Sequence, residues 1–421
     1  MRVWVGIDDT DSPKGMCTTY LAGAVIEEIG KNLGKVVGFP RLIRLNPTIP
    51  YKTRGNGAVS ILLDVDDDKE LIEIIDAVIA NYAMLDDVNT NPGAVIVNEK
   101  VAGELSWFAD KAIKGIVRIS DVYTILEKHS IPFVKYKKGR GLIGALASAT
   151  AKLNDWTFEL LAYRQKTRFG KKRQFFEDDF YDIDYEFYPL IFDTVDWMNG
   201  IVTAVPNSPC PVLFGLRGED PEILEEAVTK IESEPVDKYF IFITNHATDM
   251  HIIDAESNEV QKLENYHSYK VRGKVTKSPY VITGGHVFFE METKYGKIKC
   301  AAFEPTKQFR SIVRMLRAGD EIVVWGSMKR DTINLEKIKI EKLNIFSKEN
   351  PRCPKCGKRM ESAGRGKGFR CRNCKTYSKS KIIEKIERKI DVGYYEVPPS
   401  ARRHLSMPLI RMKVDKKHVF R

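Results

Sequence analysis

Short apolar segments alternate with helical patterns over the first third of the chain. Val3, Val5 and Ile7 occupy every second position and predict a strand, while Leu21, Val25 and Ile29 recur at helical spacing. The segments VVGFPRLIRLNP and GAVSILLDVDD predict two more strands, and KELIEIIDAVIANYA predicts another helix. This alternation predicts a mixed α/β domain over residues 1–133.

The order of elements changes in the next segment, residues 134–250. A helix pattern (GLIGALASATAKL) precedes two strand patterns (TFELLAYR and GIVTAVPN), a second helix pattern (PEILEEAVTKIES) and a last strand pattern (KYFIFITNH). A charged, aromatic stretch from Arg173 to Tyr188 interrupts this order, and we expect it to be peripheral. The order predicts a ferredoxin-like α+β domain.

Closely spaced strand patterns dominate residues 267–347. They are YKVRGKVTKSP, HVFFEMET, IKCAAFEP, EIVVWGSM and INLEKIKIEKL, with the helical FRSIVRML after the third. This order predicts an OB-fold β-barrel, whose curved face binds single-stranded nucleic acid. Six residues could either stack on bases or fill the barrel core, and the sequence leaves both roles open: Lys274, Lys277, Tyr280, Phe288, Phe289 and Trp325.

Four of the seven cysteines have the spacing of a metal site. Cys353 and Cys356 form one C-x2-C pair, and Cys371 and Cys374 form a second after fourteen residues. Four thiolates complete the tetrahedral shell of a structural Zn²⁺, so we expect a zinc ribbon with a basic C-terminal segment over residues 348–421. The whole chain is therefore predicted to be a multidomain α+β protein.

Charge is concentrated in this last segment. The net charge of the chain is +10, yet residues 348–421 carry 22 Lys and Arg against 7 Asp and Glu. Such a basic module beside a slightly acidic body favours a polyanionic partner such as nucleic acid. Arg365, Lys367, Arg370, Arg402 and Arg403 are the candidate RNA contacts.

Neither a signal peptide nor an apolar run of membrane-spanning length is expected from the sequence. Seven cysteines are too few to build a disulfide scaffold in 421 residues. We therefore expect a cytoplasmic protein that does not contact a membrane.

The stretch GIDDTDSPKGMCTT, residues 6–19, is the strongest candidate for chemistry. Asp8, Asp9 and Asp11 follow a strand, and closely spaced carboxylates of this kind suit Mg²⁺ that carries phosphates. Lys14 and Gly15 precede Thr18 and Thr19 at the expected start of a helix, where backbone N–H groups attract anions. The string is not a P-loop, and an acidic turn with Thr18 as a helix cap remains an alternative.

Two further loops extend this candidate site. Asn46, Arg54, Gly55 and Asn56 could present a guanidinium and backbone amides to a triphosphate, although a type I′ turn at Asn56 and Gly57 would also explain the last two residues. Candidate substrate loops contain Arg140 and Gly141, and then Cys210, Phe214 and Gly215; ordinary strand connections would have the same features.

Taken together, GIDDTDSPKGMCTTYL, RLNPTIPYKTRGNGA, GRGLIGALA, PNSPCPVLFGLRGE, the four-cysteine ribbon and VPPSARRHLSMPL resemble the archaeal tRNA-Ile 2-agmatinylcytidine synthetase (TiaS) family over essentially the whole chain. The resemblance implies four domains: kinase-like, ferredoxin-like, OB-fold and zinc ribbon. It also implies an ATP-dependent ligase that attaches agmatine at position 2 of the wobble cytidine of tRNA-Ile, so that the tRNA reads AUA codons. ATP is then cleaved to AMP and pyrophosphate, and Thr18 becomes phosphorylated.

Two alternatives stay open at this point. The enzyme could attach another amine, or the chain could be a non-catalytic single-strand binder built from the OB-fold and the ribbon. The sequence does not identify the carboxylates that bind agmatine, the tRNA features that are read, or the oligomeric state.

Overall fold

A computed structural model describes residues 1–52, 55–65 and 68–421 of the chain. The first part of the chain forms a sheet covered by helices on both faces. Its strands are β1 (Arg2–Asp8), β2 (Gly34–Val36), β3 (Arg41–Arg44), β4 (Gly57–Val65), β5 (Gly93–Asn98) and β6 (Phe133–Lys135). Its helices are α1 (Thr18–Asn32), α2 (Asp68–Tyr82), α3 (Glu99–Glu104), α4 (Ser106–Lys114), α5 (Ile119–Lys128) and α6 (Leu142–Thr150).

Strand β1 shows why this layered arrangement forms. Its side chains point alternately to the two faces, so Val5 and Ile7 pack with α1 and α2 while Trp4 packs with α4, α5 and α6. Gly6 faces α6 so closely that a Cβ there would lie 2.0 Å from the Ala145 carbonyl oxygen. Helix α6 therefore packs directly against the first sheet.

The second part of the chain extends the same sheet. Its elements are β7 (Thr157–Arg164), α7 (Glu177–Phe187), β8 (Val195–Asp196), β9 (Ile201–Val202), β10 (Val212–Gly218), α8 (Pro221–Val228) and β11 (Val236–Thr244). Strand β11 pairs in parallel with β3, with Ile243 opposite Arg41 and Thr244 opposite Leu42. The strand order is consequently continuous, β10-β7-β11-β3-β4-β1-β5-β6.

Two sequence expectations for this part need correction. The stretch from Arg173 to Tyr188 contains helix α7, which buries Phe180 and Ile183 in the core beneath β7 and β10, so it is not peripheral. The strand predicted from GIVTAVPN is only the short hairpin strand β9, whereas the sheet strand of this region is β10.

The third part is a closed barrel, which confirms the OB-fold. Its elements are β12 (Ile252–Asp254), β13 (Ser268–Val281), β14 (Val287–Thr293), β15 (Gly296–Ala302), α9 (Phe309–Arg314), β16 (Glu321–Lys329) and β17 (Thr332–Lys342). Pairing of β15 with β17 and of β13 with β16 closes it. Phe289 and Trp325 are buried, whereas Tyr280 is exposed and stacks on Phe288 with ring centroids 6.1 Å apart.

The last part consists of the zinc ribbon and a segment that leaves it. The ribbon strands are β18 (Phe346–Glu349), β19 (Glu361–Ser362), β20 (Phe369–Arg370), β21 (Tyr377–Ser378) and β22 (Ile382–Lys385). After them, β23 (Gly393–Glu396) pairs with β17 of the barrel, and β24 (Lys417–His418) pairs with β23. The C-terminal residues that follow the ribbon thus pack on the barrel and on the continuous sheet of the first two parts, which we call the joint sheet.

No helix within the described ranges is both long and apolar enough to cross a bilayer.

Candidate active site

A cavity of about 470 Å³ lies where the first two parts of the chain meet, and we call it the main cavity. The end of β1 and the first turns of α1 and α6 form one side of it. Strands β7 and β10 and the loop before β10 form the other side. Because β11 pairs with β3, one continuous hydrogen-bonded sheet fixes these two sides relative to each other.

The three predicted aspartates line one end of this cavity. Asp9 has a left-handed backbone (φ 58°), which turns its carboxylate to Arg140; the Nε and Nη2 groups of Arg140 donate to its Oδ2 at 3.1 and 2.9 Å. The Asn91 N–H donates to the same oxygen. Arg140, a predicted substrate-loop residue, is therefore the partner of the aspartate cluster.

The Asp8 carboxylate lies against the first turn of α6. A Cβ on Gly144 would lie 1.9 Å from Asp8 Oδ2, so only glycine fits there. Burial raises the pKa of Asp8 well above its ordinary value, and the neighbouring charge of Asp9 raises it further. Gly141 has a packing role, since its Cβ would collide with the Asp8 carbonyl oxygen at 2.5 Å.

Thr18 is the first residue of α1, and its hydroxyl lies at the main cavity. The Thr10 hydroxyl donates to Thr18 Oγ1 at 3.0 Å, while the N-cap position is Cys17. The alternative interpretation of Thr18 as a helix cap is therefore wrong. Thr19 also lines the cavity, and its Oγ1 lies 2.8 Å from Cys17 Sγ.

Lys14 and Gly15 do not line the main cavity. They belong to a tight turn in which Ser12 and Gly15 exchange backbone hydrogen bonds, and Lys14 is exposed. Lys14 and Gly15 therefore follow the aspartates in the chain but lie outside the main cavity.

The second predicted loop contributes to the main cavity in part. Gly55 and Asn56 line it, whereas Arg54 lies outside the described residues. Asn46 is buried elsewhere: its amide donates to the carbonyl oxygens of Gly115 and Tyr266 at 2.9 Å, which makes it a structural residue. Asn56 and Gly57 lack the positive φ of a type I′ turn, so that alternative is wrong too.

Of the three predicted residues on strand β10 and in the loop before it, two line the main cavity and one does not. Cys210 and Gly215 line the main cavity, and Arg173 donates to Cys210 Sγ at 3.4 Å. Phe214 does not reach the cavity, because it is buried edge-to-face against Phe180 in the core. Its prediction as a substrate contact needs correction.

Sequence reasoning missed a buried charged network at the far end of the main cavity. Glu159 accepts from Arg44 Nη2 at 3.0 Å and from Arg217 Nε at 3.2 Å. Burial by itself raises the pKa of Glu159, but the two guanidinium groups outweigh it and hold that pKa well below its ordinary value. These residues lie on strands β3, β7 and β10, where the sequence pattern predicts only buried or edge positions.

Two histidines complete this network. His246 and His404 meet edge-to-face with ring centroids 5.1 Å apart, and His404 lines the cavity from the C-terminal segment. Burial lowers the pKa of His246 to about 4, and the charge of Arg44 lowers the pKa of His404. The imidazole of His246 is therefore neutral at neutral pH. This end of the cavity is positive, because the two guanidinium groups of Arg44 and Arg217 face one carboxylate, that of Glu159.

The predicted RNA contacts divide into two groups. Arg365, Lys367 and Arg370 are exposed on the ribbon. Arg402, in contrast, is buried in ion pairs with Asp193 and Glu396, so it cannot reach a phosphate. Arg403 is half-buried; it donates to Ser327 and pairs with Glu336 at 3.1 Å.

The four ribbon cysteines converge as a metal site requires. The Sγ atoms of Cys353, Cys356, Cys371 and Cys374 all lie within 4.8 Å of one another. Such a separation fits four thiolates around one Zn²⁺. Among the described residues this is the one cluster of metal-ligating side chains, so the three aspartates do not form a metal cage by themselves.

Comparisons with known proteins agree with this architecture. Family models match residues 4–138 (TiaS TCKD domain), 139–251 (TiaS FLD domain), 269–345 (OB-fold nucleic acid binding domain) and 350–390 (TiaS C-terminal zinc ribbon domain). An isoleucine-tRNA 2-agmatinylcytidine synthetase, TiaS, of Archaeoglobus fulgidus is 61% identical over 100% of both chains. A Methanosarcina acetivorans synthetase of the same name is 46% identical over 97% of each.

The solved structure of a complex of TiaS with its isoleucine tRNA and ATP is also similar. It superposes on this chain with a TM-score of 0.94, at 60% sequence identity and with 100% of both chains covered.

Proposed function

The chain belongs to the TiaS family, and from that premise we propose that its main cavity brings together ATP, agmatine and the wobble cytidine of an isoleucine tRNA. The chain is an ATP-dependent synthetase that attaches agmatine to the cytidine of this tRNA. The observation that supports its location is that one cavity contains the aspartates, Thr18 and the three arginines Arg44, Arg140 and Arg217.

Mg²⁺ fits the acidic end of the main cavity. Carboxylate oxygens from one or two residues, with phosphates as the other ligands, are its usual donor set. Asp8 and Asp11 are the proposed ligands, since Arg140 engages Asp9. When bound, Mg²⁺ would neutralise charge on the phosphates of ATP.

Thr18 is the proposed acceptor of a phosphoryl group. Its hydroxyl is held by Thr10 at the first turn of α1, where unpaired N–H groups and the helix dipole favour negative charge. A phosphoryl group on this oxygen would lie beside the aspartates and face the cavity that receives the cytidine.

The remaining residues have positioning roles in this proposal. The 2-oxo group of cytosine must become a phosphoester before an amine displaces it, and the base must leave its stack to reach the cavity. Arg44 and Arg217 provide positive charge opposite the aspartates for a phosphorylated intermediate.

The exposed ribbon residues Arg365, Lys367 and Arg370 are proposed to contact tRNA phosphates. Because tRNA is the substrate, we also propose a cytoplasmic location.

The test is a reaction of the purified chain with the isoleucine tRNA, ATP and agmatine, read by the mass of the modified nucleoside. The parent should cleave ATP and add agmatine. Thr18→Ala should lose phosphate incorporation and product, Thr18→Ser should recover part of both, and Thr124→Ala, an exposed threonine on α5, is the matched control.

Three outcomes would contradict the proposal. A parent that binds tRNA without Mg²⁺-dependent ATP cleavage would be a non-catalytic binder. Product formed with a different amine, but not with agmatine, would exclude agmatine as the substrate. A Thr18→Ala variant as active as Thr124→Ala would exclude Thr18 as the acceptor.

A further inference from the structure

A second cavity of about 490 Å³ opens where three parts of the chain meet, and we call it the basic cavity. The loop around Pro47 and Lys52 forms one wall, Lys329 and Asn334 of the barrel form another, and the C-terminal segment from Arg402 to Leu405 forms the third. These walls come from positions far apart in the sequence, so only the folded chain brings their charges together.

The lining of the basic cavity is cationic. Lys52, Lys329 and Arg403 line it together with the paired Arg44 and Arg402, and among the residues that the structure describes no Asp or Glu does. Arg403 is neutralised in part by the buried Glu336. Within the described ranges, neither Lys52 nor Lys329 has a carboxylate within 4 Å; the Lys52 ammonium donates to the Pro47 carbonyl oxygen at 2.8 Å.

These cations repel one another in the free protein. Burial lowers the pKa of Lys52, and the charges of Arg403 and Lys329 lower it further. A bound anion would relieve this repulsion. The ligand that fits the cavity is therefore negatively charged, and a phosphate would accept hydrogen bonds from the lysines and from Arg403.

The basic cavity adjoins the main cavity. Arg44, Leu45, Ile49, Lys52, Gly55, Asn56 and His404 line both of them. A nucleotide whose base enters the main cavity keeps its flanking phosphates attached, and the basic cavity is close enough to the main cavity to receive one of them.

We propose that the basic cavity binds a backbone phosphate of the tRNA adjacent to the target cytidine. This inference rests on the proposed function. We favour an RNA phosphate over a phosphate of ATP because Lys329 belongs to the β16–β17 hairpin of the nucleic-acid-binding barrel and does not line the main cavity, where the aspartates lie. The site would hold the flipped nucleotide by its backbone and leave its base free for chemistry.

The test compares Lys329→Gln with Lys342→Gln in the full chain. Lys342 is an exposed lysine of the same barrel, outside both cavities. Affinity for tRNA is measured over a range of salt concentrations. Lys329→Gln should reduce the slope of log affinity against log salt by about one and weaken binding by about fivefold, while Lys342→Gln should do neither.

A tRNA with a neutral methylphosphonate beside the target cytidine identifies the ligand. The neutral linkage should weaken binding to the parent by about fivefold and weaken binding to Lys329→Gln clearly less, because the lost charge no longer has its partner. Equal losses in the two proteins would overturn the proposal. A loss of affinity for ATP in Lys329→Gln without tRNA would also overturn it, because the cavity would then hold ATP phosphates.

These binding measurements do not need catalysis. If the parent fails to modify tRNA, the proposed function fails, and the salt slopes and the methylphosphonate comparison still decide whether the basic cavity holds an RNA phosphate.

Discussion

At the scale of single residues, Gly144 links the packing of α6 to the acidic end of the main cavity. Gly144→Ala places a Cβ where the Asp8 carboxylate now lies, so the carboxylate or the helix must move. We expect ATP cleavage to fall by at least about tenfold, since a small displacement of a catalytic group costs that much or more. Initial rates of ATP cleavage with tRNA present measure the effect.

Gly30→Ala is the matched control for this substitution. Gly30 lies in α1, and a Cβ there would meet nothing within 4 Å. This variant should keep the parent rate and gain about 0.5–1 kcal/mol of helix stability. If Gly144→Ala cleaved ATP as fast as Gly30→Ala, the Asp8 carboxylate would have no role at its present position.

Residue types at a strand end could be predicted from the sequence, but burial could not. Asp8, Asp9 and Thr18 follow a recognisable strand and start a recognisable helix, and they do line the cavity. Arg402 and Phe214 have the chemistry of a phosphate contact and a stacking contact, yet long-range packing buries both. The ion pair of Arg44 and Glu159 could not be predicted, because its two residues lie on strands that are far apart in the sequence and neither local pattern indicates a charged partner.

At the scale of elements, the zinc ribbon is a unit whose fold depends on its metal. Cys371→Ser removes one of four converging thiolates, so we expect loss of bound zinc and weaker tRNA binding with a smaller salt slope. ATP binding should persist, because the main cavity is built from other elements. Metal analysis and binding titrations with each ligand check this.

Ser378→Ala, on strand β21 of the same ribbon, is the control and should retain one zinc per chain. Stoichiometric zinc in Cys371→Ser would show that three cysteines suffice.

The type of an element could be predicted where its apolar periodicity was clear. The sheet or helix against which that element packs could not be predicted. The alternation in β1 and the five strands of the barrel were confirmed. Helix α6 is buried around nearly its whole circumference, so its sequence does not indicate which sheet it covers. Helix α7 was missed because its first turn contains three acidic residues and only two of its apolar positions, Phe180 and Ile183, are in the core, so its apolar periodicity is weak.

At the scale of the whole molecule, the C-terminal segment connects the barrel to the joint sheet. Arg411 pairs with Asp155 at 2.9 Å and with Glu219, and it donates to the Ala247 carbonyl oxygen. Arg411→Ala leaves two half-exposed carboxylates without their counter-ion and should cost about 2 kcal/mol. Because His404 lies in the same segment, product formation should fall as well.

Lys413→Ala is the matched control, since Lys413 is exposed two residues away. Thermal unfolding and agmatine incorporation are measured for both variants. An Arg411→Ala protein with the melting temperature and the rate of Lys413→Ala would show that this connection is dispensable.

The joint sheet itself could not be predicted from the sequence. Strands β3 and β11 pair through only two pairs of residues that are about 200 positions apart, and no local pattern encodes such a contact. The same holds for β23, which returns to the barrel after the ribbon.

The position of His404 also has a consequence during synthesis of the protein. The joint sheet can assemble once residues up to about 251 have emerged from the ribosome, but the main cavity still lacks the wall that His404 supplies. At about 5–20 residues per second, translation of the roughly 150 intervening residues takes roughly 8–30 s. A nascent chain in that interval has the aspartates and Thr18 in place within an unfinished cavity. The segment around His404, which is translated after the barrel and the ribbon, therefore determines when this wall of the main cavity forms, and we expect ribosome-bound chains that stop before His404 to cleave ATP more slowly than the full chain.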